Sequence, residues 1–129
     1  AVEIFPNFEQ AFLQKALVLE LEKDLDSSIS ELENLLKNNP SFIEGLFHLG
    51  RLYYLKGDYE KAKDNLQKSI NLFSDYSNAR FILALVYEKE EKIEKAIEEL
   101  EIVKNLNPGV EFVELKIKEL KEKITTKTP

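Results

Sequence analysis

The 129-residue chain has no cysteine, one histidine, four glycines and four prolines. Without cysteine there is no disulfide, no thiolate nucleophile and no cysteine-based zinc site. That absence fits the cytoplasm without fixing a compartment. With His48 alone, the chain lacks the two histidines at i,i+4 beside a glutamate that a helical zinc hydrolase requires. It also lacks a glycine-rich phosphate loop and a nucleophile elbow. The few glycines and prolines fall at spaced points, which argues for long regular elements. No apolar run approaches the ~20 residues that span a bilayer. The opening AVEIFPNFEQ has neither a basic n-region nor a long apolar h-region. Direct membrane insertion is therefore not expected. The first residue is not methionine and the closing ITTKTP reads as a polar tail, so the expectation is a piece of a longer chain.

An excess of positive charge is missing too. Eighteen lysines and arginines stand against 24 aspartates and glutamates, for a net charge of −6. Nucleic-acid binders draw most of their affinity from a basic face. Here the lysines are interleaved with glutamates, as in KEEKIEKAIEELE at residues 89–101, the pattern of a solvated helix face with i,i+4 pairs. Lys63 is read in the same way. Nucleic acid is not an expected partner, and one arginine, Arg51, does not make the basic groove of an RNA-binding helical repeat. Carboxylates are plentiful but sit mostly beside lysines, and no acid–base pair stands out. The reading is of a protein that is not an enzyme, with no cofactor and no metal.

What the chain does have is a period. Apolar residues are 43% of it, enough for the core of one ordinary domain. Gly50 is followed 34 residues later by Ala84, Phe47 by Phe81, Tyr53 by Tyr87, Ala62 by Ala96 and Leu66 by Leu100. One step back, Ala16, Leu19 and Leu32 stand before Gly50, Tyr53 and Leu66. Pro6, Pro40, Ser74 and Pro108 keep the same step. Within the middle unit, Leu46, Leu49, Gly50 and Tyr53 follow one helix face, and Tyr59, Ala62, Leu66, Ser69 and Ile70 follow another. Between them KGD supplies Gly57 for a left-handed C-terminus and Asp58 for an N-cap. Asn39-Pro40 and Asn107-Pro108 close their units. Gly50 and Ala62 are small because two antiparallel helices approach closely there, and Tyr53 fills the space beside them.

These residues resemble the tetratricopeptide repeat (TPR) family, a 34-residue helix–turn–helix unit. Residues 43–76 match its motif through Leu46, Leu49, Gly50, Tyr53, Gly57, Tyr59, Ala62, Leu66 and Ser69, with Ser74 where proline is usual. Residues 77–110 match through Leu83, Ala84, Tyr87, Ile93, Ala96, Leu100 and Pro108. They depart at Arg80 for the first bulky residue, Glu91 for the turn glycine and Val103 for a small residue. Residues 9–42 match through Phe12, Ala16, Leu19, Leu25, Ser28, Leu32 and Pro40, with Lys15 where leucine is usual. The resemblance implies an all-α, right-handed superhelix of three hairpins. A capping helix at about 110–124 carries Val113, Ile117, Leu120 and Ile124 on one stripe, ahead of a tail at 125–129. Seven helices are expected, starting near Asn7, Asp26, Ser41, Asp58, Tyr76, Glu91 and Gly109.

The resemblance also implies a concave groove lined by the first helix of each unit, where peptides or helices bind. The stripe beside the packing face contains Leu13, Leu17, Phe47, His48, Arg51, Tyr54, Phe81, Ile82 and Leu85, continued by Phe112 and Leu115. The carboxylate clamp of one TPR subclass is not expected, because Leu13, Leu17, His48, Asn78 and Ile82 stand at its positions. Phe47, Arg51, Phe81 and Leu85 are expected to form a two-by-two patch on the concave wall that can be altered without unfolding the chain. The expected function is a non-catalytic scaffold for a protein or peptide ligand, with self-association as another use of the same face. The alternative is an appended TPR domain that positions or oligomerises a larger enzyme or membrane protein.

Overall fold

Six α-helices and their turns make up residues 24–127, the part that the computed structural model describes, and no strand occurs among them. They are α1 (Leu25–Asn38), α2 (Ile43–Lys56), α3 (Tyr59–Leu72), α4 (Ser77–Lys89), α5 (Ile93–Leu106) and α6 (Glu111–Lys127). Each starts within two residues of an expected position. The helix expected near Asn7 lies outside the described residues.

The turns follow local chemistry. Gly57 takes φ 91° at the end of α2. The Asp58 N–H then donates to the Tyr53 carbonyl at 2.9 Å, and the Gly57 N–H to the Tyr54 carbonyl at 3.1 Å. This is the Schellman closure, which favours glycine because no Cβ crowds the left-handed backbone. Asp58 then opens α3, its carboxylate accepting from the Lys61 N–H at 3.3 Å. One period later the closure recurs without glycine. Glu91 has φ 60°, Lys92 N–H donates to the Tyr87 carbonyl at 2.8 Å, and Glu91 N–H to the Glu88 carbonyl at 2.9 Å. The backbone geometry therefore survives the glycine-to-glutamate departure, at the steric cost of a Cβ in that region.

Packing explains the small residues. A Cβ on Gly50 would lie 2.6 Å from Leu66 Cγ and 3.3 Å from the Ala62 carbonyl oxygen, so α2 and α3 touch almost backbone to backbone. Ala62, Leu66, Ala96 and Leu100 are fully buried. Ser69 is buried as well, and its hydroxyl donates to the Ile43 carbonyl at 3.2 Å. Its counterpart Val103 is buried without needing a partner. Arg80, which replaces a bulky apolar residue, pairs with Glu99 across α4 and α5 at 2.8 Å. Its Nε donates to the Ser74 carbonyl at 2.7 Å. The stem supplies bulk and the head is satisfied locally. Lys63 departs from the sequence reading: only 20% exposed, it reaches Glu90 at 3.0 Å and Glu60 at 3.1 Å, tying α3 to the end of α4.

The last apolar face is covered by α6. Val113, Ile117 and Leu120 are buried, and Ile124 packs partly buried against the core. Lys116 and Lys123 bind Glu88 at 2.9 and 3.2 Å, while Lys121 reaches Glu101 at 3.3 Å. The outcome is an all-α superhelix of stacked hairpins in which α2, α4 and α6 occupy equivalent places.

Two stability predictions follow from this packing. Ala62→Leu and Ala96→Leu should each lower unfolding free energy by about 1–3 kcal/mol, against at most about 0.5 kcal/mol for Lys68→Ala on the solvated face. Urea unfolding of the three variants checks this. Glu91→Gly should raise stability by up to about 1 kcal/mol by removing the left-handed Cβ. A lowered midpoint would show that the glutamate side chain holds the turn.

Candidate concave binding face

Helical spacing on α2 brings Phe47, His48, Arg51 and Tyr54 to one face, and the same register on α4 brings Phe81, Ile82 and Leu85. Leu13 and Leu17 lie outside the described residues. The remaining positions are not an open apolar wall. Phe47 is 1% exposed, Arg51 4%, and Phe81, Ile82 and Leu85 are buried with them. Only His48 and Tyr54 are partly exposed. The Phe47 ring lies 5.4 Å from that of Tyr76 and 5.1 Å from His48. Phe81 meets the edge of Phe112 on α6 at 5.5 Å, with the rings at 84°. The expectation that Phe47 and Phe81 can be changed without affecting stability is therefore corrected. Both rings belong to the contiguous core, where truncating an aromatic costs about 3–5 kcal/mol.

The polar members form a cluster among those rings. Arg51 Nη2 donates to His48 Nδ1 at 2.9 Å, and the guanidinium carbon lies 5.6 Å from the centre of the Phe47 ring. Burial draws the Arg51 pKa down to about 10, with the Tyr76 phenol acting the other way, so Arg51 remains a cation at neutral pH. Burial, then the Arg51 charge, lowers His48 to about 4. The imidazole is thus neutral and free to accept. Tyr76 and Asn78 are buried beside this region, and burial pushes the Tyr76 phenol up.

Towards α6 the face becomes more accessible. Tyr54 has its pKa raised by burial first, then by Tyr59 and Glu88, with Lys116 opposing. Burial alone would raise the Glu88 pKa, but the hydrogen bonds and charges of Lys116 and Lys123 bring it below the usual carboxylate value. Leu115, next to Lys116 on α6, is 55% exposed. The sequence reading missed Glu88 as a member of this lane, although it stands one 34-residue step after Tyr54. It also missed a second set of exposed apolar residues at the turns: Leu35, Phe42, Leu72, Phe73 and Leu106. Leu72 and Leu106 are again 34 apart. Among the described residues no group of three metal-capable side chains converges, and no helix is long and apolar enough to cross a membrane.

The neutral, half-buried imidazole makes stability depend on pH. Histidine in the unfolded chain takes up its proton near 6.5, whereas folded His48 does so only near about 4. Its contribution is therefore complete above about 6.5 and is lost as pH falls towards about 4. At ~1.4 kcal/mol per pKa unit, discounted for partial solvent contact, the loss is on the order of 2 kcal/mol. The unfolding free energy of the wild type minus that of His48→Gln should shrink by that amount between about pH 7 and pH 4. A constant difference would place the imidazole in solvent.

Comparison with known proteins agrees with the repeat fold. A family model described as the tetratricopeptide repeat protein 21 second ARM domain matches residues 11–91, and a tetratricopeptide repeat model matches residues 77–109. Human tetratricopeptide repeat protein 21B is 34% identical over 74 residues, covering 57% of this chain and 6% of that protein. A TPR repeat-containing protein of Methanocaldococcus jannaschii is 31% identical over 85 residues, covering 66% of this chain and 26% of that protein. The chain thus spans a small part of these relatives. Two solved structures share the fold at low identity. The first TPR of Spaghetti (RPAP3), bound to the HSP90 peptide SRMEEVD, superposes with a TM-score of 0.78 at 14% identity, covering 95% of this chain and 99% of that one. The Yersinia enterocolitica type III secretion translocator chaperone SycD superposes at 0.76 with 15% identity, covering 92% and 86%. With a family model across more than half of its length and the 34-residue register carried through its helices, the chain belongs to the tetratricopeptide repeat family, in the group described as the tetratricopeptide repeat protein 21 second ARM domain.

Proposed function

We propose that this chain is a non-catalytic scaffold that binds a peptide or helix of a protein partner along the face shared by α2, α4 and α6. The supporting observation is the continuity of that face. His48 and Tyr54 on α2, Glu88 on α4, and Leu115 and Lys116 on α6 are partly or largely accessible. Tyr54 is near enough to Glu88 and Lys116 to feel both charges. A partner would meet an aromatic, an apolar side chain and a paired charge in one lane, backed by the rigid cluster of Phe47, Ile82 and Leu85. Repeat arrays present such extended surfaces because each unit adds one more equivalent helix. The solved structure of a similar fold with an HSP90 peptide supports the class of ligand. The clamp positions His48, Asn78 and Ile82 do not support that same peptide.

A second reading keeps the scaffold but places it inside a larger protein, where it positions or oligomerises the rest. It is favoured by coverage, since the matched stretch is 6% of human tetratricopeptide repeat protein 21B.

Pull-down with the wild type, Leu115→Asp, Tyr54→Ala and Leu72→Asp tests the face. Leu115→Asp should abolish partner capture while shifting stability by no more than about 0.5 kcal/mol, because the side chain is exposed. Tyr54→Ala should weaken capture, and Leu72→Asp should leave it intact. Capture lost only with Leu72→Asp would move the site to the turn edge. Sedimentation of the same variants shows whether the captured partner is a second copy of the chain.

A further inference from the structure

We propose that Arg51 anchors a carboxylate carried on a side chain of the bound segment, an aspartate or glutamate flanked by apolar residues. The proposal rests on the reading of the α2–α4–α6 face as the binding site and names the chemistry that this site selects.

The chain has two arginines, and their surroundings differ. Arg80 has its counter-ion in Glu99 at 2.8 Å and a further acceptor in the Ser74 carbonyl. Arg51 is more deeply buried, at 4% exposure, yet among the described residues no carboxylate pairs with it. Among the described residues its hydrogen bond runs from Nη2 to neutral His48 and its guanidinium carbon lies against the Phe47 ring, while Nε and Nη1 are buried without a hydrogen-bond partner. Burying an uncompensated cation is far more costly than burying a paired one. Core packing alone does not account for a guanidinium here, since the same volume of leucine or methionine would carry no such penalty. A missing anion does account for it.

The donor geometry fits a carboxylate. Nη2 carries two hydrogens, one on the Nε side of the guanidinium and one on the Nη1 side. Whichever of them His48 accepts, the other still forms a two-point fork with a free neighbour, Nε or Nη1. Such a fork matches the two oxygens of a carboxylate. His48 holds the plane of the guanidinium in place.

Burial also selects the carrier. A small free anion would have to shed its water beside Phe47 with little in return. An acid on an apolar segment replaces that water with its own flanking side chains, so the cost is shared with apolar contact. An internal acid brings such flanking side chains from both directions, whereas a chain terminus brings them from one. Arg51 is on α2, the first of the three described helices that share the face, with α4 and α6 continuing it to one side.

Panning a phage-displayed library of random peptides against the whole chain tests the proposal. Selected peptides should share one aspartate or glutamate between apolar residues. In synthetic form, replacing that acid by its amide should weaken binding about 10-fold or more, and amidating the C-terminus should change little. Arg51→Leu should remove the difference between acid and amide peptides, the coupling that a double-mutant cycle isolates, and should leave the unfolding midpoint unchanged or higher. Should the leucine variant unfold, Arg51→Lys carries the test, because it keeps the charge without the planar fork and should lose most of the preference. Peptides that bind the face, as shown by loss with Leu115→Asp, but carry no acid preference would overturn the inference and leave the scaffold reading standing. Sensitivity to C-terminal amidation alone would do the same. Failure to select any peptide, or equal binding to Leu115→Asp, would overturn both.

Discussion

The near-contact of α2 and α3 at Gly50 is the constraint from which the rest of the array follows. A single Cβ there would press to 2.6 Å on Leu66, so at this distance any larger residue forces Leu66 or the helices to shift. That distance lets Ala62 and Leu66 lose all solvent contact and lets Ser69 reach the Ile43 carbonyl across the hairpin. The next hairpin has Ala84 in the equivalent place, also buried, with Ala96 and Leu100 buried on its second helix. Because each hairpin is closed in the same way, α2, α4 and α6 present the same face in succession, and a shared face is what a bound segment would require.

Departures from the repeat show which features are held by backbone and which by side chain. The turn after α4 keeps its left-handed residue although glutamate occupies it, because the flanking helices hold the hydrogen bonds to Tyr87 and Glu88. Where arginine replaces a bulky apolar residue, the next helix supplies Glu99. Where glycine-level closeness is required, at Gly50, Ala62, Ala84 and Ala96, only small residues stand. Backbone hydrogen bonds and ion pairs tolerate substitution when a neighbour can respond. Helix–helix distance does not, since the cost of overlap rises steeply and core atoms have nowhere to go.

The same logic separates the two arginines. A surface-leaning charge such as Arg80 finds its partner within the hairpin. Arg51, at the same depth as the aromatic core, has among the described residues a neutral imidazole and the Phe47 ring beside it but no carboxylate. Buried polar groups without partners are uncommon in native folds.

Much of the architecture was legible in the residues themselves. Small, aromatic and proline positions recurring every 34 residues set the order and turn places of the six described helices, and glycine or aspartate set the caps of the turn after α2, because these are local steric and hydrogen-bonding requirements. The α6 stripe of Val113, Ile117 and Leu120 was legible for the same reason, as one apolar face must be covered. The concave face was only half legible. Periodicity placed Phe47, Arg51, Phe81 and Leu85 on one side of their helices, but a helical wheel cannot say whether that side meets solvent or other side chains. Burial of Phe47 against Tyr76, of Phe81 against Phe112, and the exposure left to Leu115 depend on how far neighbouring hairpins rotate on one another. That rotation is the sum of many contacts between residues distant in sequence, so it was decided by the tertiary structure, and with it the isolation of the Arg51 charge.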